Sequence, residues 1–239
     1  MLVKKNSIYM ILPPDNGKTS CTHSKANKNK CTSNRNQRKM KSIELNKIMK
    51  MLFFPSYTKK GRLAYSVIEH ESGAKLLKGF YLDSSINEDC FFLQYFVQSL
   101  FDPFPHLNFS LGNRLGGHLN PSEIDKINNM INSFKDFERL TCFSDYIPFL
   151  NAHPYYGSDV SRLKCYAFHY YLQSDFENSR IYFNKILDFE THPNSDWFED
   201  DINIAREFVG FLDSYSYDKG REKLLQWQKE TIRGLKIDI

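Results

Sequence analysis

Three stretches of this chain hold side chains able to do chemistry. The first is the aromatic run CFFLQYFVQSLFDPFP, from Cys90 to Pro105. A period of two puts Phe91, Leu93, Tyr95 and Val97 on one face, and Phe92, Gln94, Phe96 and Gln98 on the other. The first face is wholly apolar and belongs in a core. The second is mixed, with amides spaced to meet a neighbouring strand, a partner or water. The second stretch is LGNRLGG, residues 111–117. Its glycines free the backbone, and Asn113 and Arg114 present donors that can hold a carboxylate or phosphate. It lacks the Lys-Ser/Thr ending of a phosphate-binding loop. A strand-ending turn with positive φ also explains its glycines without a ligand. With His118 just beyond, Gln94, Gln98, Asn113, Arg114 and His118 form the candidate set for an enzyme or small-ligand site. The third stretch is SDWFEDDINIAREF, residues 195–208, where Asp196, Glu199, Asp200 and Asp201 surround Trp197 and Phe198. Acids with exposed aromatics suit a basic protein partner and speed its encounter. The competing use is structural, because acids in the first turn of a helix offset its N-terminal partial charge by roughly 0.3–1 kcal/mol each.

Other reactive side chains lack company. Cys21, His23 and Cys31 supply three ligands where structural zinc takes four. EHESG, residues 69–73, opens like a zinc-protease motif, but Ala74 stands where the second histidine is needed. His70 is therefore expected to end a strand in solvent. His169, in CYAFHYYL, is expected to hydrogen-bond at the edge of a core. No motif calls for a metal or a cofactor. No Cys or Ser has a local His/Asp signature, although such partners can be remote in sequence.

Composition narrows the class further. The chain has 239 residues, 41% hydrophobic and 15% aromatic, enough for a sizeable core. Residues 1–50 carry twelve Lys and Arg against two Asp and Glu; the remainder carries twenty against twenty-six. The net +4 thus hides a basic extension on an acidic body. An acidic body disfavours nucleic acid, so that partner is expected only through the basic residues 1–50. Five cysteines, odd in number and widely spaced, fit a reducing compartment better than a disulfide framework. No segment reaches the roughly 20 apolar residues of a membrane span. The apolar run Ile8–Leu12 is short for a signal peptide. The expected location is the cytoplasm, away from membranes.

Elements must position these residues. Residues 1–41 are nearly devoid of apolar side chains after Leu12 and are expected to be a disordered basic extension. Residues 42–239 are expected to form a single α+β domain. A short amphipathic helix, MKSIELNKIMKMLFF, has Ile43, Ile48 and Met51 on one face. Four strands are expected at 62–70, 75–83, 90–101 and 106–115, joined by short loops in a mainly antiparallel four-stranded sheet. Asn120 and Pro121 then start a helix with the stripe Ile124, Ile127, Ile131 and Phe134. Residues 141–157 look loop-like. Helices are expected within 120–235. At their end, Ala167, Phe176, Ser179, Phe183 and Ile186 recur 41 residues on as Phe208, Tyr217, Gly220, Leu224 and Trp227. Each set describes a helix, a tight turn and a second helix, with a small residue at the close approach and an aromatic plugging the turn.

Two resemblances follow. The hairpin spacing resembles tetratricopeptide units, although the offset is not the usual 34 residues and two units are fewer than a solenoid needs. The order of a short helix, FFPSYTKKGRLAYS, the aromatic strand and NFSLGNRLGG resembles the bacterial domain-of-unknown-function-4304 family, best over 43–120. That resemblance implies a small bacterial accessory protein and carries over no catalytic residue. The leading functional expectation is a non-catalytic binding protein, of the immunity type that inhibits a protein toxin. It meets a basic partner through Trp197, Glu199, Asp200 and Asp201. The alternative is an enzyme or ligand-binding protein using the open face of the sheet.

Overall fold

A computed structural model describes residues 39–87 and 89–239, all within one unit of the chain, Gln37–Ile239. Residues 1–38 of the expected basic extension, with the Cys21–His23–Cys31 group, lie outside these residues; its last residues are ordered instead, Met40 packing against the core and Lys41 capping the first helix. The architecture is α+β. Strands β1 (Thr58–Lys60), β2 (Leu63–Glu69), β3 (Lys75–Ser84), β4 (Phe91–Ser99) and β5 (Gly112–Leu119) form an antiparallel meander in that spatial order. Helix α1 (Ser42–Met51) precedes the sheet. Helices α2 (Ile124–Ser133), α3 (Tyr146–Ala152), α4 (Asp159–Leu172), α5 (Phe176–Leu187), α6 (Glu199–Asp213) and α7 (Tyr217–Leu235) follow it.

The sheet has five strands rather than four. The extra one, β1, is three exposed residues with no apolar alternation to announce it. Register pairing of Lys60 with Leu63 leaves Gly61–Arg62 as a two-residue hairpin turn. The last strand also begins later than expected. Leu107 and Phe109 alternate because their loop lies over the sheet, where Phe109 meets Phe96 and Tyr81. LGNRLGG is not a strand-ending turn: it enters β5 itself, with a bulge opposite Phe91–Leu93 and Gly116 at φ +71°.

Strand β4 is the centre of both cores. Phe91, Leu93, Tyr95 and Val97 join the large core built by α1, the 3-10 turn Asp136–Arg139, and helices α2 to α7. On the opposite face, Phe96 and Leu100 join Leu63, Tyr65, Leu77 and Ile237. The chain after α7 closes that face: Asp238 pairs with Lys60, and its backbone hydrogen-bonds the Tyr65 hydroxyl. Helix α1 buries Leu45, Ile48, Met49 and Leu52, while Ile43 and Met51 face outward. The expected face was therefore rotated, because Met49 and not Met51 completes the stripe.

The helical half follows the expected stripe and repeat. The Asn120 side chain accepts from the Ser122 N–H, and Ile127 and Ile131 are buried. Residues expected as loop contain α3; Pro148 sits in its first turn, where a missing N–H is tolerated. Helices α4–α5 and α6–α7 form two helical hairpins with matching turns. Ser174 and Tyr215 both adopt left-handed backbone, at φ +64° and +54°. In each turn the next N–H reaches back to a helix carbonyl, Asp175 to Tyr170 and Ser216 to Phe211. The aromatic plugs Phe176 and Tyr217 stack on each other at 3.8 Å. The Ser179 hydroxyl donates to Ala167 O, and Gly220 leaves room for the Tyr171 hydroxyl, which donates to Tyr217 O.

His169 departs from expectation. It is fully buried, stacked on Phe143 at 4.4 Å, and neither ring nitrogen has a partner. Burial, with His70 nearby, pushes its pKa down to about 3. His70 is itself half-buried against Phe143, its Nδ1 beside the Ser72 hydroxyl. These facts set a pH dependence. Unfolded, His169 binds a proton below about pH 6.5; folded, it resists doing so until about pH 3. The unfolded state then binds more protons, so stability falls as pH drops from neutrality. Between pH 7 and pH 5 this group removes about 2 kcal/mol. Urea titrations at the two pH values should show that loss. His169→Leu should flatten it, and an unchanged pH dependence in that variant would contradict the assignment.

Candidate functional site

Strand alternation separates the residues of the first candidate set. Gln94 pairs with Arg114 across β4 and β5, and Tyr95 with Asn113. Asn113 and Arg114 therefore belong to opposite faces. Asn113 donates from Nδ2 to the Tyr156 hydroxyl, outside the large core. Gln98 is 4% exposed and structural: its Nε2 donates to His106 O, and its Oε1 accepts from the Asn108 N–H. Both ends of that amide fasten the loop that covers the second face. The close approach of β5 needs glycine at 112, since an added Cβ would sit 2.2 Å from Tyr95 O.

Gln94, Arg114 and His118 remain on the second face, beyond the part that Ile237 closes. The Arg114 guanidinium lies 3.8 Å from the Phe92 ring centre. The His118 ring meets the same phenylalanine at 4.7 Å. The bulge that interrupts β5 brings His118 to Ser85, whose Oγ lies 2.5 Å from Nδ1 and accepts the Asn87 N–H. Alongside, Arg62 lies over Tyr81 at 4.8 Å and reaches Asp83 at 3.9 Å. Burial raises the Tyr81 pKa despite Arg62. The arrangement is a shallow shelf. Arg114 and His118 are exposed among the described residues.

At the end of β4 lies a polar cluster of which the sequence had marked only Gln98. Ser99, Asp102, Tyr146, Tyr155 and Cys165 line a cavity of about 10 Å3, room for a single water. Burial pushes the Cys165 thiol up to about 11, so it stays a neutral thiol at physiological pH. Beside this cavity, Lys164 lies 3.3 Å from Asp102 and 2.8 Å from Asp201. Burial opposes its charge, but the two carboxylates more than offset this and raise its pKa. Thr231 adds a hydroxyl bond to Asp102 O, so the triad joins the end of β4 to α4, α6 and α7. Among the described residues, no group of three or more His, Cys, Asp or Glu is placed to hold a metal. No helix among them is long and apolar enough to cross a membrane.

The third stretch divides at this triad. Asp201 turns inward to Lys164 and keeps only about a fifth of its side chain, 21%, exposed. Glu199 and Asp200 stay exposed in the first turn of α6, and Trp197 is 78% exposed. Phe198 folds back on Phe189. At the other end of α6, Tyr215 is 79% exposed. Among the described residues these are the two most exposed large apolar side chains. They bracket one helix whose outer face carries Glu199 and Asp200 at its start; further along, Glu207 is paired to Lys223, Asp213 to Arg180, and Arg206 to Glu190. Tyr215 was legible only through the 41-residue repeat, which places it opposite Ser174 at the turn.

Substitution separates the two aspartates. Asp201→Asn should cost about 1–3 kcal/mol, because it weakens a buried charge-assisted contact. Asp200→Asn should cost only about 0.3–1 kcal/mol, the helix-end charge alone. Paired denaturant melts measure both, and equal effects would contradict the inward role of Asp201. In comparisons with known proteins, no family model, no curated protein and no solved structure matches this chain.

Proposed function

We propose that this protein is a non-catalytic binding protein that meets a basic protein partner on the outer face of α6, as an immunity-type inhibitor of a toxin does. The observation that carries the reading is the placing of Trp197 and Tyr215, both more than three-quarters exposed, at the two ends of a helix that opens with exposed acids. Trp and Tyr are the side chains that most often anchor protein interfaces. The surrounding carboxylates would steer a basic partner and suppress acidic ones. The two hairpins, with their tetratricopeptide-like spacing, hold this helix in place. The resemblance of the motif order to the domain-of-unknown-function-4304 family is in keeping with the same reading of a small bacterial accessory protein, and a reducing cytoplasm suits its unpaired thiols at Cys90, Cys142 and Cys165.

The competing enzyme reading needs a site enclosed by the helices. Arg114 and His118 stand instead on an open shelf, and the enclosed polar cavity holds no more than one water. This shelf retains one specific feature: Arg114 has no acidic partner among the described residues and lies flat on Phe92. An anionic group could therefore be held there, and the test must separate the two surfaces.

Affinity capture from the cells that make the protein does so. The bait is wild type, the triple variant Trp197→Ser, Glu199→Gln, Asp200→Asn, or Arg114→Met. A basic protein should be retained by wild type and Arg114→Met, and lost with the triple variant and at about 0.5 M salt, where exposed charges are screened. A partner indifferent to the triple variant but lost with Arg114→Met would overturn the proposal and move the interface to the sheet.

A further inference from the structure

Next to Tyr215, α5, α6 and the start of α7 enclose an open groove of about 320 Å3. Its walls are the stacked pair Phe176 and Tyr217, the Tyr215 ring, Leu212, and the charged side chains Glu177, Arg180 and Asp213. The Tyr215 and Tyr217 rings stand at 83° with centres 6.1 Å apart, two walls meeting nearly at a right angle. Arg180 is neutralised by Asp213 at 2.6 Å. Glu177 makes no ion pair among the described residues, so the groove retains one uncompensated carboxylate beside aromatic rings.

The backbone supplies a second, independent observation. Tyr215 occupies left-handed φ, where glycine or asparagine is cheaper, yet its large side chain is almost wholly exposed. At the matching turn the chain uses Ser174, whose hydroxyl accepts from Arg221 Nη2. Ser174 thus has a structural partner; among the described residues the Tyr215 side chain meets the ring of Tyr217. A bulky side chain kept at a strained, exposed position indicates a use outside the fold.

We infer that this groove receives a lysine or arginine side chain of the basic partner, its cationic head against the Tyr215 and Tyr217 rings and Glu177. Ring faces attract cations electrostatically, and the attraction grows as water is excluded. Glu177 supplies the countercharge. This inference rests on the proposed docking to α6 and places one anchor of that interface at the C-terminal end of the helix.

The probes are N-acetyl-arginine amide, N-acetyl-lysine amide and N-acetyl-glutamate amide, titrated against protein carrying isotope-labelled tyrosine and followed by NMR. The cationic probes should give saturable shifts at the Tyr215 and Tyr217 rings, and the glutamate probe none. Glu177→Gln should weaken binding three- to tenfold, while Glu222→Gln, an exposed change elsewhere on α7, leaves it unchanged. Tyr215→Gly should abolish the shifts at Tyr217 and raise the Tm by roughly 2–4 °C, since glycine relieves the left-handed backbone. Absent shifts, equal shifts with the glutamate probe, or binding retained in Tyr215→Gly would each overturn the inference. Its failure leaves partner capture by wild type and loss in the Trp197 triple variant untouched. Saturable probe binding without a partner that depends on the triple variant would sink the docking reading instead.

Discussion

Strand β4 must be covered on both sides. Few residues between Phe91 and Phe101 tolerate water, and a strand sends alternate side chains to opposite faces. One layer of helices could hide only half of them. The chain resolves this by placing α1 and most of the helical half on one face, then sending the end of α7 around to the other. Helix α7 has 19 residues and spans about 28 Å, enough to run from the hairpin turn at Tyr217 back to the sheet. Ile237 then packs with Tyr65 and Phe96. The polar devices serve the same end. Gln98 fastens the loop that brings Phe109 over Phe96, and Gln228 joins α7 to the backbone at Gly73 and Lys75.

The Asp102–Lys164–Asp201 triad belongs to this scheme. A buried ion pair is weak evidence for stability, because desolvation offsets much of its attraction. Its geometry is informative in another way. Asp102 closes the aromatic run, Lys164 is on α4 and Asp201 is on α6, so the triad fixes how the hairpins meet the end of β4. By drawing Asp201 inward it also sets which acids of EDD reach the surface. The exposed face of α6 is thus defined by an interaction made beneath it.

Local patterns were legible in the sequence where one element decides the outcome. The two faces of β4, the Ile127–Ile131 stripe and the repeated hairpin spacing all come from residues within a few turns of one another. What stayed hidden was set by distant contacts. Strand β1 exists because Thr58–Lys60 pair with β2, not because TKK favours a strand. Leu107 and Phe109 alternate like a strand because a loop is pressed on the sheet. Met49 replaced Met51 in the core, a choice made by the sheet beneath α1. The candidate residues divided the same way: register set Asn113 against Arg114, and Asp201 was claimed by a lysine 37 positions earlier. Tyr215 carried a readable signal in the repeat, but its left-handed backbone appears only in three dimensions.

The proposed function rests on what the fold leaves outside. Most of the described aromatic residues are buried or half-buried, in the cores over β4 and between the helices, and Trp197 and Tyr215 are the most exposed of those that remain outside. That conclusion depends on sheet and helices forming one cooperative body, each hiding the apolar surface of the other. Native-state amide hydrogen exchange tests this directly. The amides of Phe91–Ser99 should exchange only through global unfolding, at the same opening free energy as the core amides of α4. If β4 exchanges through a lower-energy opening while α4 stays protected, the helical half does not need the sheet, and the account fails.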